Sequence, residues 1–595
     1  MRERHAMMLM ERLSPIGLGR LLIGCAQGVG LYLLIRGMEN AAQGSMRAFV
    51  LPPLFVACLS VPLVAMLDLG RMPMRRLIAW SAAVAAVLIG LTVHDIQRRI
   101  GAHPLDNGMW QGVAPSFTLI AATAIMVFVA HALMSAAQEE ARPIARYGRY
   151  FDVAWKQGVQ LAFAANFTGA LWLVLFLGAA LFDMLHLDFF SRTIGEPWFA
   201  WPATFLALGA AIHLTDVAPG IIAGIRKLAL VLLSWLLPVM VLITAGFLAA
   251  LAATSLDLLW QTKRGAVTLL SAAACLIVLA NAAYQQGPPR DGEDGHLPAR
   301  ILAWSGSAIG PLLLVLVGLA GYATFLRVDQ YGWTNDRVIL AAVVLVASLY
   351  AIGYAGSGWW NDAPRRWWEA TNIAVSFVVV GIMLAVLSPL ADPARIAVSS
   401  QLNRLTSGRV SVDAFDFVSL RFDGERYGQE ALRSLSQSVD PAIVDKANSA
   451  LQAANRWQAK SQAGLPSADA VAANMIIHPA GQALPPGLAK PGLSHLDCHR
   501  MAGKKCDVVL LGHDGGGRAM AVMTEHNAAA PLLFFTGETD GQWRHAGNFG
   551  LACADQRQAL LKGDFTLAPP LVPDIVIGTR RLSLEDRPTL SPRCP

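Results

Sequence analysis

The chain has 595 residues, of which 55% are hydrophobic and only 15% charged, with a formal net charge of +6. Soluble domains run near 45–50% apolar and about 25% charged, so this composition excludes a wholly water-soluble protein. The basic surplus is spread over short loops and forms neither an arginine-rich arm nor a basic groove with interleaved aromatics, so nucleic acid is not an expected partner.

The polar N-terminus carries Arg2, Arg4 and Arg12 and leads into an apolar run from Ile16 to Ile35. A cleavable signal ends in small residues. This run ends in Leu34, Ile35 and Arg36, so an uncleaved first helix is expected. Further apolar runs follow at about Ala48–Leu69, Leu77–Ile96, Phe117–Ala137, Gly158–Leu181, Phe199–Thr215, Leu228–Ala253, Ala266–Tyr284, Ile301–Phe325, Val338–Gly356 and Ala370–Leu390. A helix needs about 20 apolar residues to cross the hydrocarbon core, and in lipid every backbone amide must be paired within the segment. The expected architecture is therefore a polytopic α-helical membrane protein of about eleven transmembrane helices, followed by a soluble C-terminal α+β domain. The sixth run is short and holds Pro202, so a re-entrant segment is its alternative.

With the N-terminus inside, the inner loops gather Arg71, Arg75, Arg76, Arg142, Arg146, Arg149, Lys156, Arg226 and Lys227. Together with Arg2, Arg4, Arg12, Arg290, Arg300, Arg365 and Arg366 they outnumber the basic residues of the outer loops, 16 to 9, as the positive-inside rule requires for eleven spans. Cys25, Cys58 and Cys275 fall within apolar runs, whereas Cys498, Cys506, Cys553 and Cys594 all lie in the tail. An even set in one soluble domain suits disulfides, which persist outside the cytosol. Both arguments place the tail in the periplasm of a bacterial inner (cytoplasmic) membrane and the N-terminus in the cytoplasm.

The chain divides into a transmembrane domain over 1–390, a helical extramembrane segment over 391–480 and a small β-rich domain over 481–595. In the helical segment, Asp440 is a candidate N-cap with Pro441 at the first helical position. In the last, Val508–Leu511, Ala519–Met523, Leu532–Phe535 and Asp574–Ile577 read as short strands of an antiparallel sheet or sandwich.

Three stretches resemble a known family: RYGRYFDVAWKQGVQLAFAANFTGALWLVL at Arg146–Leu175, DQYGWTNDRV at Asp329–Val338, and SGRVSVDAFDFVSLRFDGERYGQEAL at Ser407–Leu432. They are similar to the bacterial membrane family called domain of unknown function 4153. The resemblance implies a multi-span inner-membrane protein with a C-terminal extramembrane region, and it brings no catalytic residues.

Ionisable or amide side chains inside a membrane are costly and serve as functional candidates. Here they are His131, Asn166, and His213 with Asp216, the last two spaced to share a helical face; His94, Asp95 and Asp183 lie near span ends. His131 has no carboxylate at helical spacing in its own span, so a bond to a neighbouring helix is expected. Asp152 and Lys156 form an i, i+4 pair at the interface. Trp359, Trp360, Trp367 and Trp368 flank Arg365 and Arg366 as an aromatic–basic belt. His495, Cys498, His499 and Cys506 match no usual structural zinc spacing, so disulfides are expected there. The glycines from Gly512 to Gly517 lack the Lys-Ser/Thr of a phosphate loop and read as a turn.

No catalytic residue, metal or cofactor is expected. The expected partners are the lipid bilayer and a periplasmic protein. The leading functional expectation is envelope assembly or signalling through the tail. The alternative is a secondary transporter or lipid-handling permease.

Overall fold

The computed structural model describes residues 15–40, 46–99, 114–217, 219–254, 265–284, 297–359, 364–453, 455–456, 468–501, 503–514, 517–526, 532–538, 542–549, 554–567, 575–577 and 580–582. The chain forms two compact units, Met1–Ser434 and Leu435–Pro595.

The first unit is helical: α1 (Pro15–Glu39), α2 (Met46–Asp68), α3 (Met74–Arg99), α4 (Phe117–Glu139), α5 (Tyr147–Asp183), α6 (Phe189–Gly195), α7 (Pro197–Val217), α8 (Pro219–Ala253), α9 (Gly265–Ala283), α10 (Leu297–Tyr331), α11 (Asn335–Trp359), α12 (Pro364–Val386), α13 (Pro393–Thr406), α14 (Phe417–Asp423) and α15 (Glu425–Leu435). Among the described residues eleven helices, α1–α5 and α7–α12, are long and apolar enough to cross a membrane. The chain is thus a multi-pass membrane protein.

The expected sixth span is α7, a continuous helix through Pro202. Close approach at glycines makes it the antiparallel partner of α1. A Cβ on Gly24 would lie 2.4 Å from the Phe205 carbonyl oxygen, one on Gly28 2.5 Å from Pro202, and one on Gly209 2.8 Å from the Arg20 carbonyl oxygen. Because lipid tails are as apolar as leucine, membrane helices gain from such close packing rather than from hydrophobic burial. The backbone bond that Pro62 deletes from α2 is replaced from outside. Its missing N–H frees the Cys58 carbonyl one turn back, and Gln27 of α1 donates Nε2–H to Cys58 (3.1 Å) and Leu59 (3.0 Å).

The later spans share a second core in which Leu237, Leu276, Leu313 and Ala351 meet Tyr147 and Phe151 of α5. The expected aromatic belt is broken at Trp368. Trp367 stays half-exposed, but Trp368 is buried and stacks on Tyr354 at 3.7 Å, because successive helical positions point about 100° apart.

In the second unit α16 (Pro441–Gln452) begins as its sequence predicts, Asp440 accepting the Ala442 N–H ahead of Pro441. After α17 (Ala468–Asn474), strands β1 (Met475–His478), β2 (Cys506–His513), β3 (Ala519–Glu525), β4 (Leu532–Gly537) and β5 (Trp543–Phe549) form one sheet in that order. The expected strands at Val508–Leu511, Ala519–Met523 and Leu532–Phe535 form an antiparallel sheet as β2, β3 and β4, which β5 extends antiparallel and β1 joins in parallel, so the five-stranded sheet is mixed. Gly512 and Gly517 (φ +90° and +82°) turn the chain between β2 and β3. Short helices α18 (Asp497–Arg500) and α19 (Ala554–Lys562) and the pair β6 (Ile575–Ile577) and β7 (Arg580–Leu582) complete the described part.

Overpacking a filled site costs about 1–3 kcal/mol. Gly24→Leu is therefore expected to lower the detergent melting temperature and the monodisperse yield. Gly90→Leu, which meets nothing within 4 Å, should leave both at the parent level.

Candidate functional site

Polar side chains of the bundle converge at two places, one at each face. At the face holding the start of α1, Gly70 (φ +86°) closes the α2–α3 turn and brings Arg71 back over the helix ends. Arg20, 0% exposed, donates Nε–H to the Met66 carbonyl (2.8 Å) and Nη2–H to that of Leu69 (3.3 Å), at the C-terminal end of α2. It also pairs with Asp216 Oδ2 at 2.9 Å, and Arg71 pairs with the other Asp216 oxygen. A guanidinium is favoured where helix carbonyls lack partners. One carboxylate thus fastens the end of α7 to both α1 and the α2–α3 turn. His213, one turn earlier, lies against Gly17, where any Cβ would meet its ring.

Behind this anchor is a chain of buried groups from four spans. Gln157 of α5 donates to Ser135 Oγ (3.3 Å), and Ser135 of α4 donates to Asp68 Oδ2 (2.7 Å) at the end of α2. Trp80 of α3 donates its indole N–H to His131 Nδ1 at 3.2 Å. An indole only donates, so Nδ1 is the acceptor and His131 is neutral, with its proton on Nε2. That nitrogen faces Asp68 Oδ2 across 3.8 Å and completes no hydrogen bond. The partners expected for His131 on neighbouring helices are these two. Asn166 is brought to neither face cluster: it lies on an exposed side of α5 and bonds to the Ala162 carbonyl of its own helix.

A cavity of about 280 Å³ opens beside the chain, between α4, α5, α7 and α8. Its wall holds three carboxylates, and each has an arginine: Glu139 with Arg149 at 3.3 Å, Asp152 with Arg226, and Asp216 with Arg20 and Arg71. The Asp152–Lys156 pair read from spacing does not form, since Asp152 turns to Arg226 instead.

At the opposite face the end of α3 meets the helices that follow α12. His94 Nε2 lies 2.8 Å from Asp392 Oδ2, while Asp392 also caps α13 through the Ala394 N–H. Asp95 accepts from the Ser116 N–H and hydroxyl at the start of α4 and pairs with Arg98 and Arg99. Arg98 reaches on to Glu425 at 3.3 Å. Glu425 stands at the α14–α15 junction with φ +50°, and a Cβ on Gly428 there would fall 1.8 Å from the Leu420 carbonyl oxygen. The segment resembling the family at Asp329–Val338 docks on the same helices, Arg404 donating to the carbonyls of Asp329 (2.9 Å) and Gln330 (2.7 Å).

In the second unit Cys498 and Cys506 form a disulfide. His499 is buried and bonded to Ser494 and the Leu488 carbonyl, and His495 packs edge-on towards His545. Three of the four residues weighed for zinc are thus held by other bonds. Cys553 and Cys594 lie outside the described residues. Burial raises the Asp507 carboxyl, yet hydrogen bonds from His526, His478 and Arg557 outweigh it and hold the group below the usual carboxylate range. They join β1, β2, the end of β3 and α19.

Burial, reinforced by Asp392 and Asp95 against the pull of Arg98, pushes Glu425 up to about 7. A carboxyl raised above its free value of 4.5 binds its proton more tightly when docked. Its stabilising contribution is complete below that value and is lost as pH rises through about 7. Proteolysis within α15 should quicken between about pH 6 and about pH 8, and Glu425→Gln should keep it slow at both.

The sequence profile of the family described as Domain of unknown function (DUF4153) matches residues 54–430. Comparison with curated proteins and with solved structures finds no match. The matched stretch holds both face clusters except Arg20, and it covers more than half of the chain, which belongs to that family of unknown function.

Proposed function

We propose that the protein is a permease-type membrane protein, a secondary transporter or lipid-handling permease that moves a polar substrate by way of the bundle. The observation that carries this reading is the Asp68–Ser135–Gln157 chain, with neutral His131 beside it, buried behind a charged cavity at one face. A carboxylate facing an imidazole N–H is equipped to exchange a proton, and intramembrane ionisable groups mark such paths. A bundle serving only to anchor a tail has no need of them.

The test uses the full chain in liposomes loaded with a pH-sensitive dye under an imposed membrane potential. Proton entry above that of protein-free liposomes is expected, and Asp68→Asn should return it to that background. Equal rates for the parent and Asp68→Asn, both above background, would sink the reading, as would a parent at background.

A second reading, envelope assembly or signalling through the tail, draws on the second unit having its own sheet and core. It requires the tail in the periplasm of a bacterial inner membrane. Loop charges and the Cys498–Cys506 disulfide favour that orientation. The His94–Asp392 contact fits it too, because the ends of α3 and α12 then share a face and an even number of spans lies between them. Val439 is fully exposed. Val439→Cys should therefore gain labelling by a membrane-impermeant maleimide in intact cells over the parent protein; a gain seen only after lysis would reverse the orientation.

A further inference from the structure

We infer that the cavity between α4, α5, α7 and α8 is a binding site for a phosphate ester that also carries a hydrogen-bond donor. Its existence does not depend on the permease reading, but its use as a substrate site rests on it.

The charge pattern of the wall selects an anion. Four arginines answer three carboxylates: Arg149 with Glu139, Arg226 with Asp152, and Arg20 and Arg71 with Asp216. Lys156 is then a further cation on the same wall, half-buried, with no hydrogen bond or ion pair to any described residue. Glu139 and Asp68 attract it only at longer range, opposed by Arg71 and Arg20, and a phosphate oxygen supplies the contact charge that a half-buried ammonium lacks.

The second requirement comes from Gln160, one turn further along α5 on the cavity wall. It is 1% exposed, and its Nε2–H is spent on the Ile212 carbonyl at 3.0 Å. Its Oε1 has no partner, a buried acceptor that calls for a donor. Inorganic anions without a proton answer Lys156 alone. A phosphate bearing a hydroxyl or amine answers both residues.

The cavity lies where α4 and α7 end and α5 and α8 begin, the depth of lipid headgroups, and about 280 Å³ admits a small phosphorylated alcohol. Two sources carry this chemistry: a lipid headgroup, or a free sugar- or glycerol-type phosphate.

The full chain in phosphatidylcholine nanodiscs is titrated with dansyl-labelled phosphatidylglycerol, read by energy transfer from tryptophan. Competitors are unlabelled phosphatidylglycerol, phosphatidylmethanol, which has the charge but no headgroup donor, and free glycerol phosphate. Loss of one charge-assisted bond is expected to weaken binding about tenfold in Lys156→Met. Lys227→Met removes an exposed lysine near the same face and should change it less than about twofold. Gln160→Leu should erase the preference for phosphatidylglycerol over phosphatidylmethanol. Competition by the lipid alone assigns the headgroup; equal competition by glycerol phosphate assigns the free ester. Parent-like binding in Lys156→Met, or an equal loss in Lys227→Met, overturns the site. Intact binding with no proton movement sinks the permease reading and leaves the site standing. Proton movement with binding insensitive to Lys156 does the reverse.

Discussion

One carboxylate, Asp216, and the two guanidinium groups that meet it hold the first half of the bundle together. Arg20 enters from α1 and Arg71 from the α2–α3 turn, and the carboxylate belongs to the end of α7. Three pieces of chain separated by long stretches of sequence are thereby fixed at one depth. An ion pair that is only partly buried is a weak source of net stability, and its cost of breaking falls mainly on Arg20, the fully buried member. Its role is to specify which helix ends meet. The close glycine packing of α1 on α7 depends on that register, because a slip along the pair would drive the Phe205 and Trp201 backbone off Gly24 and Gly28.

The same rule, that every polar group in lipid must find an internal partner, explains features that look unrelated. Gln27 sits mid-helix because Pro62 of the neighbouring helix leaves a carbonyl open. Tyr354, Asn281, Tyr147 and Asn372 form a closed set in the second half, each hydroxyl or amide engaged by another at 2.7–3.0 Å. Networks of this kind are stable only when complete. The groups around Asp68 are different, for His131 Nε2 and the side-chain carbonyl oxygens of Gln157 and Gln160 complete no bond. The tyrosine–asparagine set of the second half is closed, whereas in the first half Gln160 leaves an acceptor open on the wall of a cavity.

The sequence predicted the spans well because hydropathy is a local property. The ends of α2, α4 and α9 fall within a few residues of the runs read from composition, and the Asp440–Pro441 helix start follows from its cap. Strand β5, WRHAGNF, has almost no apolar alternation and gave no signal, since most of its residues are exposed. Strand β1 was hidden at the end of a helical stretch and owes its state to its parallel neighbour β2. The candidate site was legible only as residue types. His131, His213 and Asp216 could be picked out for their depth, but Asp68, Arg20 and Ser135 sit at ordinary helix ends, and no spacing rule joins Asp392 to His94 across 298 residues of sequence. Asn166 shows the reverse: its position in the sequence is as deep as any, yet its own backbone satisfies it.

The two faces therefore do different work with similar residues. At the far face Asp95 is engaged by Ser116 and two arginines, Asp392 by His94 and a helix N-terminus, and Glu425 pairs with Arg98. Such a set locks the extramembrane helices onto the span ends. At the near face the arginines lock helices too, but Lys156 and Gln160 are left over on the cavity wall, and His131 Nε2 is left without a hydrogen bond. Stability alone favours replacing a buried unsatisfied acceptor with an apolar side chain. Residues that break a local rule without a stabilising return are where function is to be sought. Lys156 and Gln160 are two such residues, and they share the wall of one cavity with Asp216.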